Sequence, residues 1–186
     1  ISIPVSVMPH NVDTEPVTGL VLITGMEMET DAAHHDEGAG LLVIFNRKGM
    51  NEGPVSQIEV GKHPAHVIAD KEGKYAYVTL SGEDAVSVVD LAQGKVVARI
   101  ATGSFPHGLR MSPDGKEIYV ANMNDGTVSV ISVEERKEVA RIEAGKTPVQ
   151  VAVTPDAKTV YVSLHKENAI GVIDVGSRKM ITKVAV

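Results

Sequence analysis

The chain has 186 residues, the length of one domain or one and a fraction, and a formal net charge of −6. That charge argues against nucleic acid as the main partner, because phosphate binding needs a basic face. With no cysteine, disulfides, thiolate metal sites, a Cys nucleophile and covalent haem attachment through Cys-x-x-Cys-His are excluded. Aromatics are 3% of the chain with no Trp, so a stacking platform for bases has little to build on. Seven His and seven Met are the compositional hints of site chemistry, and no apolar stretch approaches membrane-spanning length.

A register runs along the chain. Gly61, Gly103 and Gly145 are spaced 42 residues apart, and so are Pro64, Pro106, Pro148 and Tyr77, Tyr119, Tyr161. Each unit carries four short apolar runs of period two, separated by turn formers. Residues 1–5 align with 98–102, the end of an outer strand belonging to a preceding unit. The first full unit, 6–60, is aberrant: Pro9 matches Pro64, yet they are 55 residues apart, 13 more than the repeat. About eleven of the extra residues fall in an insertion at 26–40, and two in the turn at 47–53. The next unit, 61–102, predicts strands at roughly 66–70, 75–80, 85–90 and 96–101. Units 103–144 and 145–186 repeat this, with Pro113-Asp114-Gly115 and Asn124-Asp125-Gly126 as turns in the first of them. In the last, Ala157 stands where Gly is expected, and Asn168 supplies a residue tolerant of the left-handed conformation.

Four antiparallel strands in a 42-residue unit is the pattern of a β-propeller blade. Helical repeats of similar period fail, because no segment keeps a 3.6-residue apolar period and Val and Ile dominate the runs. The expected fold is an all-β propeller of four-stranded antiparallel blades. Four blades are visible as one partial domain, read as part of a larger, seven-bladed ring whose missing blades come from elsewhere in a longer chain or from another chain. Blade faces left open would be rich in Val and Ile, which favours association.

Tyr77-Val78-Thr79-Leu80, Tyr119-Val120-Ala121-Asn122 and Tyr161-Val162-Ser163-Leu164, each after a Pro-Asp-Gly-type turn, resemble YVTN-type β-propeller repeats. The resemblance covers residues 61–186 clearly and 6–60 more loosely, and Asn122 alone keeps the motif's final Asn. It implies a secreted, periplasmic or surface-layer protein. It is also similar to propellers with haem or quinone chemistry, so it names a scaffold rather than a reaction.

Two places carry candidate chemistry. The insertion brings Met26, Met28, His34, His35 and Asp36 together with further carboxylates. Imidazole with thioether suits copper, and imidazole with carboxylate suits zinc or another divalent ion. The bland alternative is a solvated acidic loop, since the spacing matches no standard ligand motif. The second place is the start of the innermost strands, which line a propeller channel. His10 and His107 are register equivalents directly after the prolines, His66 lies one position further along, and Gln150 is the counterpart of His66. These imidazoles are candidates to bind a metal or to serve as axial ligands to a haem; alternatively, Pro-His is a loop habit of the repeat. His63 and His165 are expected to be exposed, and Asp90 and Asp174 to bond their own turns.

The leading expectation is an extracytoplasmic propeller, periplasmic or extracellular, that binds a protein partner or ligand and is tuned by copper or another divalent metal at the insertion. The rival is an oxidoreductase propeller, or its maturation factor, holding copper, haem or a quinone at His10, His66 and His107. A third expectation is a lactonase-like, metal-dependent hydrolase.

Overall fold

The computed structural model describes residues 5–27 and 39–186. Four antiparallel four-stranded sheets account for the strands, each formed by consecutive segments in chain order. The first holds β1 (Val7–Thr14), β2 (Leu20–Glu27), β3 (Gly40–Asn46) and β4 (Ser56–Glu59). In the second are β5 (Pro64–Ala69), β6 (Tyr75–Leu80), β7 (Ala85–Asp90) and β8 (Lys95–Ala101). The third contains β9 (Pro106–Met111), β10 (Glu117–Asn122), β11 (Thr127–Ser132) and β12 (Lys137–Glu143), and the fourth β13 (Pro148–Val153), β14 (Thr159–Leu164), β15 (Ala169–Asp174) and β16 (Lys179–Ala185). All-β architecture in blade-type sheets, as in part of a β-propeller, is therefore what the repeat builds.

Several strands differ at their ends from the sequence reading. The first strand of the second sheet starts at Pro64 rather than 66. A proline donates no hydrogen bond, which suits it to the first residue of a strand. β2 and β3 reach into the presumed insertion, with Met26 opposite Gly40. The turn after β3 contains a 3₁₀ turn at Met50–Glu52. Residues 1–4 and 28–38, the presumed outer-strand end and most of the insertion, lie outside the described residues.

The chain divides into two compact units, Ile1–Glu83 with Ser87–Arg99, and Asp84–Val86 with Ile100–Val186. In the first, Leu22, Leu42 and Ile44 of one sheet pack with Val67, Val78 and Leu80 of the next. The opposite face of the first sheet holds Val7, Val21, Ile23, Leu41, Val43 and Phe45, with Met50 packed against them. In the second unit, Tyr119, Val128 and Val130 meet Val151, Val160 and Val162. Fully burying each Val or Leu side chain contributes about 1.5–3 kcal/mol, so the sheet-to-sheet layers dominate stability. The innermost position belongs to the first strand of each sheet: β1 contacts β5 in one unit, and β9 contacts β13 in the other.

Turn chemistry follows the repeat. Gly73 and Gly115 have φ of 68° and 77°, and Ala157 adopts 57° at the same place. Asn168 takes the left-handed conformation at φ 48°, as its residue type allows. A Cβ in this region is disfavoured by roughly 1–2 kcal/mol; glycine avoids that cost, and its greater unfolded-state entropy cancels part of the gain. Ala157→Gly is therefore expected to raise unfolding stability by about 0.5–1 kcal/mol, read as a shift of the urea midpoint at constant slope.

Candidate functional site at the innermost strands

Every innermost strand carries one extra residue near its start. In β1 the pairing passes from Pro9↔Gly25 to Asn11↔Thr24, leaving His10 as the bulge. In β5 it passes from Pro64↔Leu80 to Val67↔Val78, so Ala65 and His66 share the irregularity. β9 shows the same jump across His107 and Gly108, and β13 across Val149 and Gln150. A bulge breaks the ladder locally and re-aims a side chain, which is why bulges occur beside sites.

The freed backbone groups need partners. The His66 N–H donates to Thr79 Oγ1 at 2.9 Å, and that hydroxyl lies 3.3 Å from the His66 carbonyl oxygen. Gln150 N–H donates to Ser163 Oγ at 3.0 Å in the same way. The Ala65 carbonyl receives two donors, Thr24 Oγ1 at 2.7 Å and His10 Nδ1 at 3.1 Å. Because a carbonyl only accepts, the second contact places a His10 proton on Nδ1.

His10 and His66 are brought together. Their ring centroids are 5.5 Å apart at an interplanar angle of 75°, and a ring nitrogen of each lies within 4.8 Å of one on the other. His10 is exposed and His66 half-buried. His10 also lines a 390 Å³ hollow whose other walls include Pro9, Val12, Val21, Ile23 and Met50, largely apolar surroundings for one imidazole edge.

In the other unit, His107 occupies the register place of His10, with Nδ1 3.4 Å from the Val149 carbonyl. Gln150 replaces the second histidine there. A Cβ on Gly108 would sit 1.9 Å from Gln150 Oε1, so the absent side chain of Gly108 makes room for Gln150. Of the insertion residues, Met26 lies in β2, paired with Met8 and Gly40. Met28, His34, His35 and Asp36 are outside the described residues. His63 and His165 are exposed; Asp90 accepts from Gln93 N–H and Asp174 from Ser177 N–H, both within their own turns.

A repeated charge device closes the loops entering these strands. Glu83 accepts from Lys62 N–H and from Arg99, and Glu167 from Lys146 N–H and from Lys183. The Lys183 ammonium and then the Lys146 N–H hold the Glu167 carboxyl below the ordinary carboxylate range. Thr24 and Thr79 were not singled out by sequence reading, since a threonine in a strand reads first as β propensity; their shared place in the repeat was the available signal.

The cytochrome D1 heme domain family matches residues 73–185, more than half of the chain. The chain belongs to this family. Among solved structures it resembles the Kuenenia stuttgartiensis hydrazine synthase, with a TM-score of 0.83 and 22% identity over 100% of this chain and 51% of that one. It also resembles a functionally unknown protein from Desulfotomaculum acetoxidans DSM 771, with a TM-score of 0.77 and 14% identity over 96% and 56% of the two chains. The chain thus spans about half the length of these two structures, and at such identities the likeness shows the fold alone. No curated protein matches.

The family's name raises the question of whether these residues suit a haem or metal. The donor set does: an imidazole whose Nδ1 proton is held by a backbone carbonyl presents Nε2 as a ligand, the usual second-shell arrangement at metal-binding histidines. An apolar hollow also lies beside His10.

The bulge depends on its hydroxyl brace. Replacing Thr79 by Val should leave the part-buried His66 N–H without its acceptor and cost about 1–3 kcal/mol. Thr79→Ser should restore most of that, as measured by denaturant unfolding.

Proposed function

We propose that this cytochrome D1-type propeller region holds a transition metal, as an ion or within a haem, through His10 and His66, and that it serves oxidoreductase chemistry. The observation that carries the reading is the His10–His66 pair, set by two adjacent bulges with ring nitrogens within 4.8 Å. Two metal–nitrogen bonds of about 2.0–2.1 Å each span such a gap after a small ring rotation. Imidazole donors without thiolate suit iron, copper or zinc, and a bound redox metal would supply one-electron chemistry. His10 and His66 bind and orient the metal, while the apolar wall by His10 limits water on one side. The family match supports this reading over hydrolysis. Met26, Met28, His34, His35 and Asp36 form the proposed second set of donors, with copper as the metal that thioether and imidazole together favour. The matching compartment is periplasmic or extracellular, supported by the YVTN-type resemblance and the lack of cysteine.

Titrating the purified chain with Cu(II), Co(II) and haem, followed by absorption, tests the proposal. One of these should bind stoichiometrically, and His10→Ala and His66→Ala should each weaken it by more than the roughly 10–100-fold typical of outer-shell changes. A wild-type chain that takes up none of them, or variants that bind equally well, would overturn it.

A second reading, a propeller surface for a protein partner, is favoured by the far face of the fourth sheet. Tyr161 is 44% exposed and Val184 53%, whereas their counterparts Tyr119 and Ile142 are 2% and 4% exposed beneath the fourth sheet. β15 correspondingly alternates between buried and half-buried residues, while the equivalent β11 is almost wholly buried. The partner we propose is a blade-like sheet offering small aliphatic residues, as β13 and β14 offer Val151, Val160 and Val162 to the third sheet. Sedimentation of the chain over a concentration series should show reversible association that Tyr161→Glu weakens about tenfold or more, equivalent to roughly 1.4 kcal/mol. Monomers at every concentration would count against the partner surface.

A further inference from the structure

We infer that Thr24 is a positioning residue for His10, acting through the Ala65 carbonyl it shares with that imidazole. The inference rests on the metal reading of the same site and goes one layer outward from it. Thr24 is fully buried on β2, opposite Asn11, the residue after His10. Its hydroxyl crosses from the first sheet to the second and donates to Ala65 at 2.7 Å. Ala65 lies in the β5 bulge, where its carbonyl is not held by the β5–β6 ladder alone. The short bond from Thr24 fixes the direction of that carbonyl, so its second lone pair faces His10 Nδ1 at 3.1 Å. Two donors on one oxygen compete, so the hydroxyl orients the carbonyl rather than strengthening its bond to His10. The result is a His10 ring held with its Nδ1–H on that carbonyl.

The repeat contains its own control. In the third sheet the place of Thr24 is taken by Ala121, which has no hydroxyl. There the equivalent imidazole, His107, is 3.4 Å from the equivalent carbonyl, Val149, near the outer limit of a hydrogen bond. The Nδ1 contact of His10 is thus the shorter one and that of His107 the longer. The difference originates in a single hydroxyl.

The test is nitrogen-15 NMR of the histidine rings in metal-free protein, at a pH above the imidazole range, alongside Co(II) titration. Wild type and Thr24→Ser should show His10 mainly as the Nδ1–H tautomer. Thr24→Val should shift His10 toward a mixture and weaken Co(II) binding about 10–100-fold, the range seen when a second-shell partner is lost. A folded Thr24→Val protein with an unchanged His10 tautomer overturns the inference, even if Co(II) binds. A tautomer that does respond in a chain that binds no Co(II) upholds the inference and removes the metal reading instead. Should Thr24→Val fail to fold, Ala121→Ser decides: it should raise the Nδ1–H population of His107, and an unchanged His107 spectrum overturns the inference.

Discussion

One extra residue in each innermost strand governs the candidate site. A regular strand would send successive side chains to alternate faces and satisfy each N–H in the ladder. The bulges interrupt that alternation at His10, at Ala65 and His66, at His107 and Gly108, and at Val149 and Gln150. The displaced amides and carbonyls are then taken up by hydroxyls on the second strands, Thr24, Thr79 and Ser163. Imidazole placement, tautomer and backbone satisfaction are consequently one problem with one solution. A strand without the bulge would have no reason to direct a carbonyl at a neighbouring histidine.

Around that constraint the sheets supply rigidity. Leu22, Leu42 and Ile44 packed on Val67, Val78 and Leu80 lock the first two sheets face to face, so β1 and β5 are held side by side and His10 meets His66. Tyr119, Val128 and Val130 packed on Val160 and Val162 do the same for β9 and β13, where the outcome is a histidine beside a glutamine. The same layer repeated with different residues at the bulge gives a donor pair in one unit and a mixed pair in the other. Membership of the cytochrome D1 heme domain family describes the scaffold; the chemistry rests on which bulge residues the scaffold presents.

Both proposed roles follow from departures within the repeat. In the fourth sheet Tyr161 and Val184 are exposed where their counterparts in the third are covered, the observation behind the proposed partner surface. In the first sheet a bulged His10 and a buried Thr24 share the Ala65 carbonyl, which makes a repeat threonine part of an imidazole's surroundings.

Local pattern was enough to reveal the period, the four strands per unit, the turn positions and the equivalence of His10 with His107. Those features depend on alternation and on turn residues close together in the chain, and alternation survives in sequence because one face of each strand must avoid water. Ala157 and Asn168 at left-handed turn positions were legible for the same reason. Tertiary packing alone decided that Ala65, an unremarkable alanine, offers the carbonyl His10 uses, that Thr24 reaches the same oxygen, and that Gly108 yields space to Gln150. Carbonyl direction leaves no mark on residue type, and contacts between residues 41 to 55 apart arise only when neighbouring sheets close on one another.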